Sequence, residues 1–211
     1  MIMDLHVHTT VSPCSNLTMD EILANARYLG LDGVCVTDHY RAGELSSKGD
    51  FVCNGLVVIV GTEYATPQGD LLLFGPHLDF PDNLSAPEVL SRVEAQGGAG
   101  VLAHPFRKKR PGAEELVSRG LVTAVEEING RNTPEENLRV AGWLAKYPLH
   151  TVAGSDAHSL EELGRVATYF SRPVHGWKDL AAALKAGDMI PQISAKLPPI
   201  LHQTNNQLNC A

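Results

Sequence analysis

Two histidines separated by one residue, His6 and His8, begin a series of metal-binding side chains that continues with His39, Glu63, His104 and the pair Asp156 and His158. Each later member stands at the end of a short apolar run. His39 follows GVCVTD, Glu63 follows IVGT, His104 follows GVLA, and Asp156 follows VAGS. Side chains at the ends of neighbouring parallel strands converge in space although they lie far apart in the chain, and a multinuclear metallohydrolase needs that placement. On a strand, residues 6 and 8 leave the backbone on the same face, so both imidazoles can hold one ion. A histidine pair alone often does no more than pack or face solvent. The repetition at the other strand ends changes the reading, because a buried unpaired Asp, Glu or His carries a desolvation cost that a bound cation removes.

The elements that must position these residues are legible as apolar runs at 2–8, 33–38, 56–63, 70–74, 98–103, 124–129, 149–155 and 167–171. Most are continuous and not alternating, the pattern of parallel strands covered on the outside by helices. Helices are expected at 19–29, 86–96, 112–119, 134–146 and 176–186. Thr18-x-x-Glu21 and Thr133-x-x-Glu136, the latter with Pro134 at the first helical position, are capping-box starts, and Ser159-x-x-Glu162 opens a shorter turn. Strand and helix alternate throughout, which gives an α/β class, either a barrel or a doubly wound sheet. Ligands from so many strands on one edge favour the barrel, since an open sheet offers one crevice at its switch point. The polar connections 40–55 and 105–112 follow candidate ligands and are expected to face substrate. A single domain is expected over 1–195, with KLPPILHQTNNQLNCA at 196–211 as a loose tail.

Bulk properties bound the partners. The chain has 211 residues, 44% hydrophobic and 19% charged, and no apolar stretch approaches the roughly 20 residues of a membrane helix. Its start, MIMDLHVHTT, lacks a basic leader and a cleavage site, which points to the cytoplasm. A formal charge of -7 argues against broad phosphate-backbone binding and favours a small substrate. Arg107, three residues beyond His104 in the run Arg107-Lys108-Lys109-Arg110, and Arg131 with Asn129 are the groups expected to hold that substrate, because guanidinium matches phosphate oxygens in pairs. The three neighbours of Arg107 read as a solvated basic loop. His150, His175 and His202 lie away from strand ends and read as surface or packing residues.

With these residues in view, the chain resembles the PHP family, named for polymerase and histidinol phosphatase. The matching segments are DLHVHTTVSP near the start, GLDGVCVTDH at 30–39, GTE at 61–63, AHPFR at 103–107, EEINGR at 126–131 and GSDAH at 154–158. The resemblance implies a distorted (β/α)7 TIM-like barrel carrying two or three divalent ions, zinc, manganese or iron. It implies that His6, His8 and Asp156 bind one ion, that Glu63 bridges to a second also held by His104, and that His39 and His158 serve a third. Glu63, Asp156 and His158 are then the catalytic candidates. Two departures stand out: VSPCS follows HVHTT, offering Cys14 as a softer ligand, and GDLLLFGPHL leaves Asp70 or His77 for the second ion. The implied activity is a metal-dependent phosphoesterase that hydrolyses a small phosphorylated metabolite or nucleotide with a metal-activated water. The alternatives are an exonuclease or phosphodiesterase on nucleic-acid ends, nucleic acid being the less favoured partner, and a non-catalytic metal-binding partner domain of a polymerase.

Overall fold

Asn54-Gly55, set between two apolar runs, is a two-residue hairpin signal that the reading above passed over. Both residues have positive φ, +50° and +75°, and they fold β3 (Phe51–Cys53) back on β4 (Leu56–Val60) in antiparallel register. The computed structural model describes residues 1–39 and 49–193. The proposed tail 196–211 and much of the 40–55 connection lie outside the described residues.

The remaining strands are β1 (Ile2–Val7), β2 (Gly33–Val36), β5 (Thr62–Thr66), β6 (Gly69–Phe74), β7 (Ala99–Leu102), β8 (Ala124–Asn129), β9 (Thr151–Gly154), β10 (Val166–Phe170) and β11 (Met189–Ile193). The helices are α1 (Met19–Asn25), α2 (Ala86–Ala95), α3 (Glu114–Ser118), α4 (Pro134–Leu138), α5 (Ala141–Leu144) and α6 (Trp177–Ala186). Both expected capping boxes form at Thr18 and Thr133, and a third, Ser85 with Glu88, opens α2. At Ser159 the glutamate reaches one residue further back, and His158 N–H donates to Glu162 Oε2 at 2.8 Å.

The fold is α/β with mixed sheets, which corrects the expectation of parallel strands throughout. One sheet has the order β11-β10-β1-β2-β4-β3 and the other β5-β6-β7-β8-β9. Among the strand ladders of the described residues, β1–β2, β2–β4, β7–β8 and β8–β9 are parallel and the rest antiparallel. The ladders among the described residues run as two sheets and not as one closed ring. The expected strand 56–63 is in fact β4 and β5, which belong to different sheets. The crossing falls at Gly61, where a Cβ would lie 2.8 Å from Leu73 O and 2.9 Å from the Phe74 ring, so only glycine allows the chain to change sheets there. β11 was missed because Pro191 interrupts it, and it survives as an edge strand, where a missing donor is tolerated.

Three apolar layers hold the sheets. Met3, Leu5, Ile59, Leu72, Val101 and Phe170 pack between them with Leu180 and Leu184 of α6. Ile22 of α1 covers Val34, Val36 and Val58 on the outside of the first sheet. Val89 and Val93 of α2, with Leu116 and Trp143, cover Leu71, Leu73 and Leu102 on the outside of the second. In β6 alternate leucines face opposite layers and all are fully buried, which is why the strand reads as a continuous apolar run. β9, an edge strand of the second sheet, lies against β1 and β10 of the first. Val7 bridges Ala157, and the Thr168 hydroxyl bonds both Ala153 N and Ala153 O at 2.8 Å.

Candidate metal centre

β1 delivers its two histidines to this seam, and neither is free to choose its tautomer. His6 Nδ1 lies 3.0 Å from Glu126 Oε1, and a carboxylate accepts only, so Nδ1 carries a hydrogen and Nε2 is the nitrogen turned toward the other candidate ligands. His8 Nδ1 lies 3.3 Å from Ser12 Oγ, whose own hydrogen goes to Asp38 Oδ1 at 2.5 Å. The serine oxygen therefore accepts, and His8 also turns Nε2 toward the candidate ligands. The two Nε2 atoms stand 3.0 Å apart. Asp38 is further held by Thr9 N and Thr9 Oγ1, both at 2.7 Å, so the HVHTT turn is fixed around it.

The second sheet contributes the carboxylates. Glu63 Oε2 lies 3.3 Å from His6 Nε2, 3.1 Å from His8 Nε2 and 3.2 Å from His39 Nδ1, while its Oε1 lies 2.9 Å from His104 Nε2. Asp156 Oδ1 lies 3.5 Å and 3.4 Å from His6 and His8 Nε2. Four overlapping groups arise among the described residues: His6, His8 and Glu63; His6, His104 and Asp156; Glu63, Asp70 and His104; and His8, His39 and His158, each with ligand atoms within 4.8 Å of one another. Imidazole nitrogens and carboxylate oxygens converge in each group, and that donor set fits divalent cations.

Backbone geometry reflects the crowding. His104 and Asp156 have positive φ, +27° and +56°, which non-glycine residues hold only where the surroundings impose it, often at functional sites. A Cβ at Gly154 would lie 2.4 Å from His6 Cβ and 2.7 Å from Glu126 Oε1, so glycine alone admits β9 this close to β1.

Electrostatics divide the site. Burial pulls the His6 imidazole down, but Asp156, Glu126 and Glu63 outweigh it and hold the group well above its ordinary value. Burial pushes Glu63 and Asp156 up, and the histidines beside them hold both carboxyls below the usual range. Burial lowers His39 and His158, so these two are neutral at pH 7 with lone pairs available.

The structure brings His6, His8, His39, Glu63, Asp70, His104, Asp156 and His158 together. His77 is exposed and stands apart, beside Asp50 and Trp177 in another hollow. Cys14 and Arg131 line the cleft over the cluster, a space of about 620 Å³. Arg107 also reaches this cleft, yet its Nη2 donates to Asp156 Oδ2 at 2.7 Å and Asn129 Oδ1 at 2.8 Å, and its Nε to Asn132 at 3.0 Å. Asn129 is buried and its amide donates to Glu126 Oε2 at 2.9 Å. Both residues thus brace the cluster from behind. The reading above missed Glu126 and Asp4. Glu126, in the matched segment EEINGR, takes His6 Nδ1, the His104 N–H at 2.8 Å and Asn129. Asp4 shares the strand parity of His6 and His8 and accepts from Ser155 N at 2.9 Å and Gly164 N at 3.0 Å. Burial pushes its carboxyl up to about 6. The available signal was an acid inside an apolar run, alone for Asp4 and followed by Glu127 for Glu126.

Comparison with known proteins agrees with this geometry. A family model described as the PHP domain matches residues 4–105, and one described as PHP-associated matches 134–189. An uncharacterized protein of Methanocaldococcus jannaschii is 31% identical over 179 residues, covering 81% of this chain and 71% of that protein. Among solved structures, PsfC from Pseudomonas syringae superposes with a TM-score of 0.73 at 20% identity, covering 92% of this chain and 91% of its own. A two-domain protein of Bacteroides vulgatus containing a predicted PHP-like metal-dependent phosphoesterase gives 0.70 at 18%, covering 92% and 65%. The lesion-specific endonuclease Q of Pyrococcus furiosus gives 0.67 at 20%, covering 88% and 56%. At these identities the structural likeness is one of fold.

Proposed function

The chain belongs to the PHP domain family, and from that premise we propose that it is a metal-dependent phosphoesterase acting on a small phosphorylated metabolite or nucleotide. The observation that carries the proposal is the position of Glu63, whose two oxygens face different histidines, His6 and His8 on one side and His104 on the other. Such a carboxylate is suited to bridge two cations. In this reading His6, His8, Asp156 and Glu63 would hold one ion, Glu63, His104 and Asp70 a second, and His39 and His158 a third. Two or three divalent ions of zinc, manganese or iron would supply hydroxide at neutral pH and offset charge that builds on phosphoryl oxygens. The two sheets are read as halves of the distorted (β/α)7 barrel, and the cytoplasm as the setting.

The chain's own residues divide the remaining work. Glu126 and Ser12 orient the two β1 imidazoles, and Arg107 occupies the outer oxygen of Asp156 so that Oδ1 faces inward. His158, neutral at pH 7 by the burial that lowers it, lines the cleft and would hold an ion or, where no ion takes it, accept a proton from the attacking water. Arg131 lines the cleft, where its guanidinium is available to a phosphate. Hydrolysis of an aryl phosphate with Mn²⁺ or Zn²⁺ tests the proposal, with Glu63→Ala and His104→Ala expected to abolish turnover. Unchanged turnover in both variants would remove this centre from the mechanism.

A second reading, an exonuclease or phosphodiesterase on nucleic-acid ends, is favoured by the exposed Lys108 and Lys109 beside Arg110 at the cleft mouth. An end-labelled oligonucleotide shortened under the same conditions would support it. A non-catalytic role beside a polymerase predicts a metal-replete protein inactive on both substrates.

A further inference from the structure

Asp70 is only 4% exposed, and its Oδ2 lies 3.8 Å from His104 Nε2, the nitrogen that faces Glu63. The three residues form one of the potential cation-binding groups. Both oxygens of Asp70 are nevertheless taken already. Arg110 Nε donates to Oδ2 at 2.6 Å and Arg110 Nη2 donates to Oδ1, the two-pronged match of guanidinium to carboxylate. A buried carboxylate needs a countercharge, and here a guanidinium and a cation site converge on the same one.

The two are unequally fixed. The Arg110 side chain is 52% exposed and lines the cleft, so it can leave Asp70 without disturbing the core. The backbone beneath it is pinned: Arg110 N–H donates to Arg107 O at 3.1 Å, Gly112 N–H to Pro105 O at 2.8 Å and Ala113 N–H to Gln68 O at 2.8 Å. A Cβ at Gly69 would lie 2.9 Å from Gly112 Cα, so the loop is pressed onto the turn between β5 and β6. A released guanidinium therefore stays at the cleft mouth.

We propose that Arg110 is a cation-dependent anion latch. It pairs with Asp70 while the Glu63, Asp70 and His104 group holds no ion, and a divalent ion taken up there displaces it into the cleft, where it receives a phosphate oxygen of the substrate. The inference rests on the phosphoesterase reading above and adds a specificity-determining residue to it. Two carboxylates and one imidazole make an oxygen-rich group that suits manganese, in contrast to the all-imidazole set of His8, His39 and His158.

Calorimetric titration of metal-stripped protein with Mn²⁺, then of the Mn²⁺-loaded protein with inorganic phosphate, reads both halves of the latch. Arg110→Gln should bind its weakest Mn²⁺ about tenfold more tightly, because the competitor is gone, and phosphate about tenfold more weakly. Arg110→Lys, which keeps the charge without the fork, should fall between, and it serves the same test if Arg110→Gln does not fold. Weaker Mn²⁺ binding in Arg110→Gln would make Arg110 a support for Asp70 and overturn the proposal, as would unchanged affinity for Mn²⁺ or for phosphate. Wild-type protein that takes up no Mn²⁺ would instead sink the metal-centre reading, and this inference with it.

Discussion

At the floor of the cleft, His6, His8, Glu63 and Asp156 are each at most 3% exposed, and each side chain has a polar partner. Glu126 holds His6, Ser12 holds His8, His104 meets Glu63, and Arg107 takes the outer oxygen of Asp156. At the rim, His39 is 36% exposed, Cys14 faces solvent, and Arg131 reaches only a 3.5 Å contact with Glu162. The floor groups are strongly perturbed by one another, whereas His39 at the rim and His158, which also lines the cleft, are lowered chiefly by burial. In the proposed reading, enclosure would separate two tasks: a preorganised floor that fixes ligand geometry, and a rim that meets the substrate.

The sharpest way to break this division is His8→Ala at the floor. Loss of an ion should cost several kcal/mol of transition-state stabilisation, about three orders of magnitude in kcat/KM on an aryl phosphate. Glu126→Gln leaves every ligand in place and removes only the acceptor behind His6 and His104. A loss of about 10- to 100-fold in metal affinity, measured by competition with a chelator, is expected for such a supporting residue. His39→Ala at the rim should lower kcat/KM by about tenfold or less, as loss of one charge-assisted contact would. A floor-sized loss at His39 would erase the distinction between floor and rim.

Asp4 supplies the smallest effect, and it is one of stability. Its carboxyl is pushed to about 6 from 3.8 by burial, so the folded state binds its proton more tightly than the unfolded state does. The stabilisation is complete below about pH 4 and fades as pH rises to about 6, by on the order of 2 kcal/mol. Thermal melting of metal-stripped protein should show this slope, and Asp4→Asn should remove it while lowering stability overall. Asparagine cannot accept from both Ser155 N–H and Gly164 N–H through separate oxygens.

The floor was largely legible in the sequence because its residues follow apolar runs, and burial between covered sheets writes such runs. His6, His8, Glu63, His104 and Asp156 were named on that ground. The sheet arrangement was less legible. Nothing in LVVIVGTE marks Gly61 as a crossing between sheets, since the close approach of Leu73 and Phe74 comes from distant sequence. The supporting residues were hidden for a similar reason. Arg107 and Asn129 have side chains suited to phosphate, and only the positions of Asp156 and Glu126 reveal that they face inward. Arg110 was read as a solvated base because its partner, Asp70, lies forty residues away.

The account depends on cations gathering around Glu63. Crystals soaked in Mn²⁺ and measured at the manganese absorption edge test this directly through the anomalous difference map. The account predicts peaks on both sides of the Glu63 carboxylate, one toward His6 and His8 and one toward His104. A map with no peak within coordinating reach of Glu63 would contradict it.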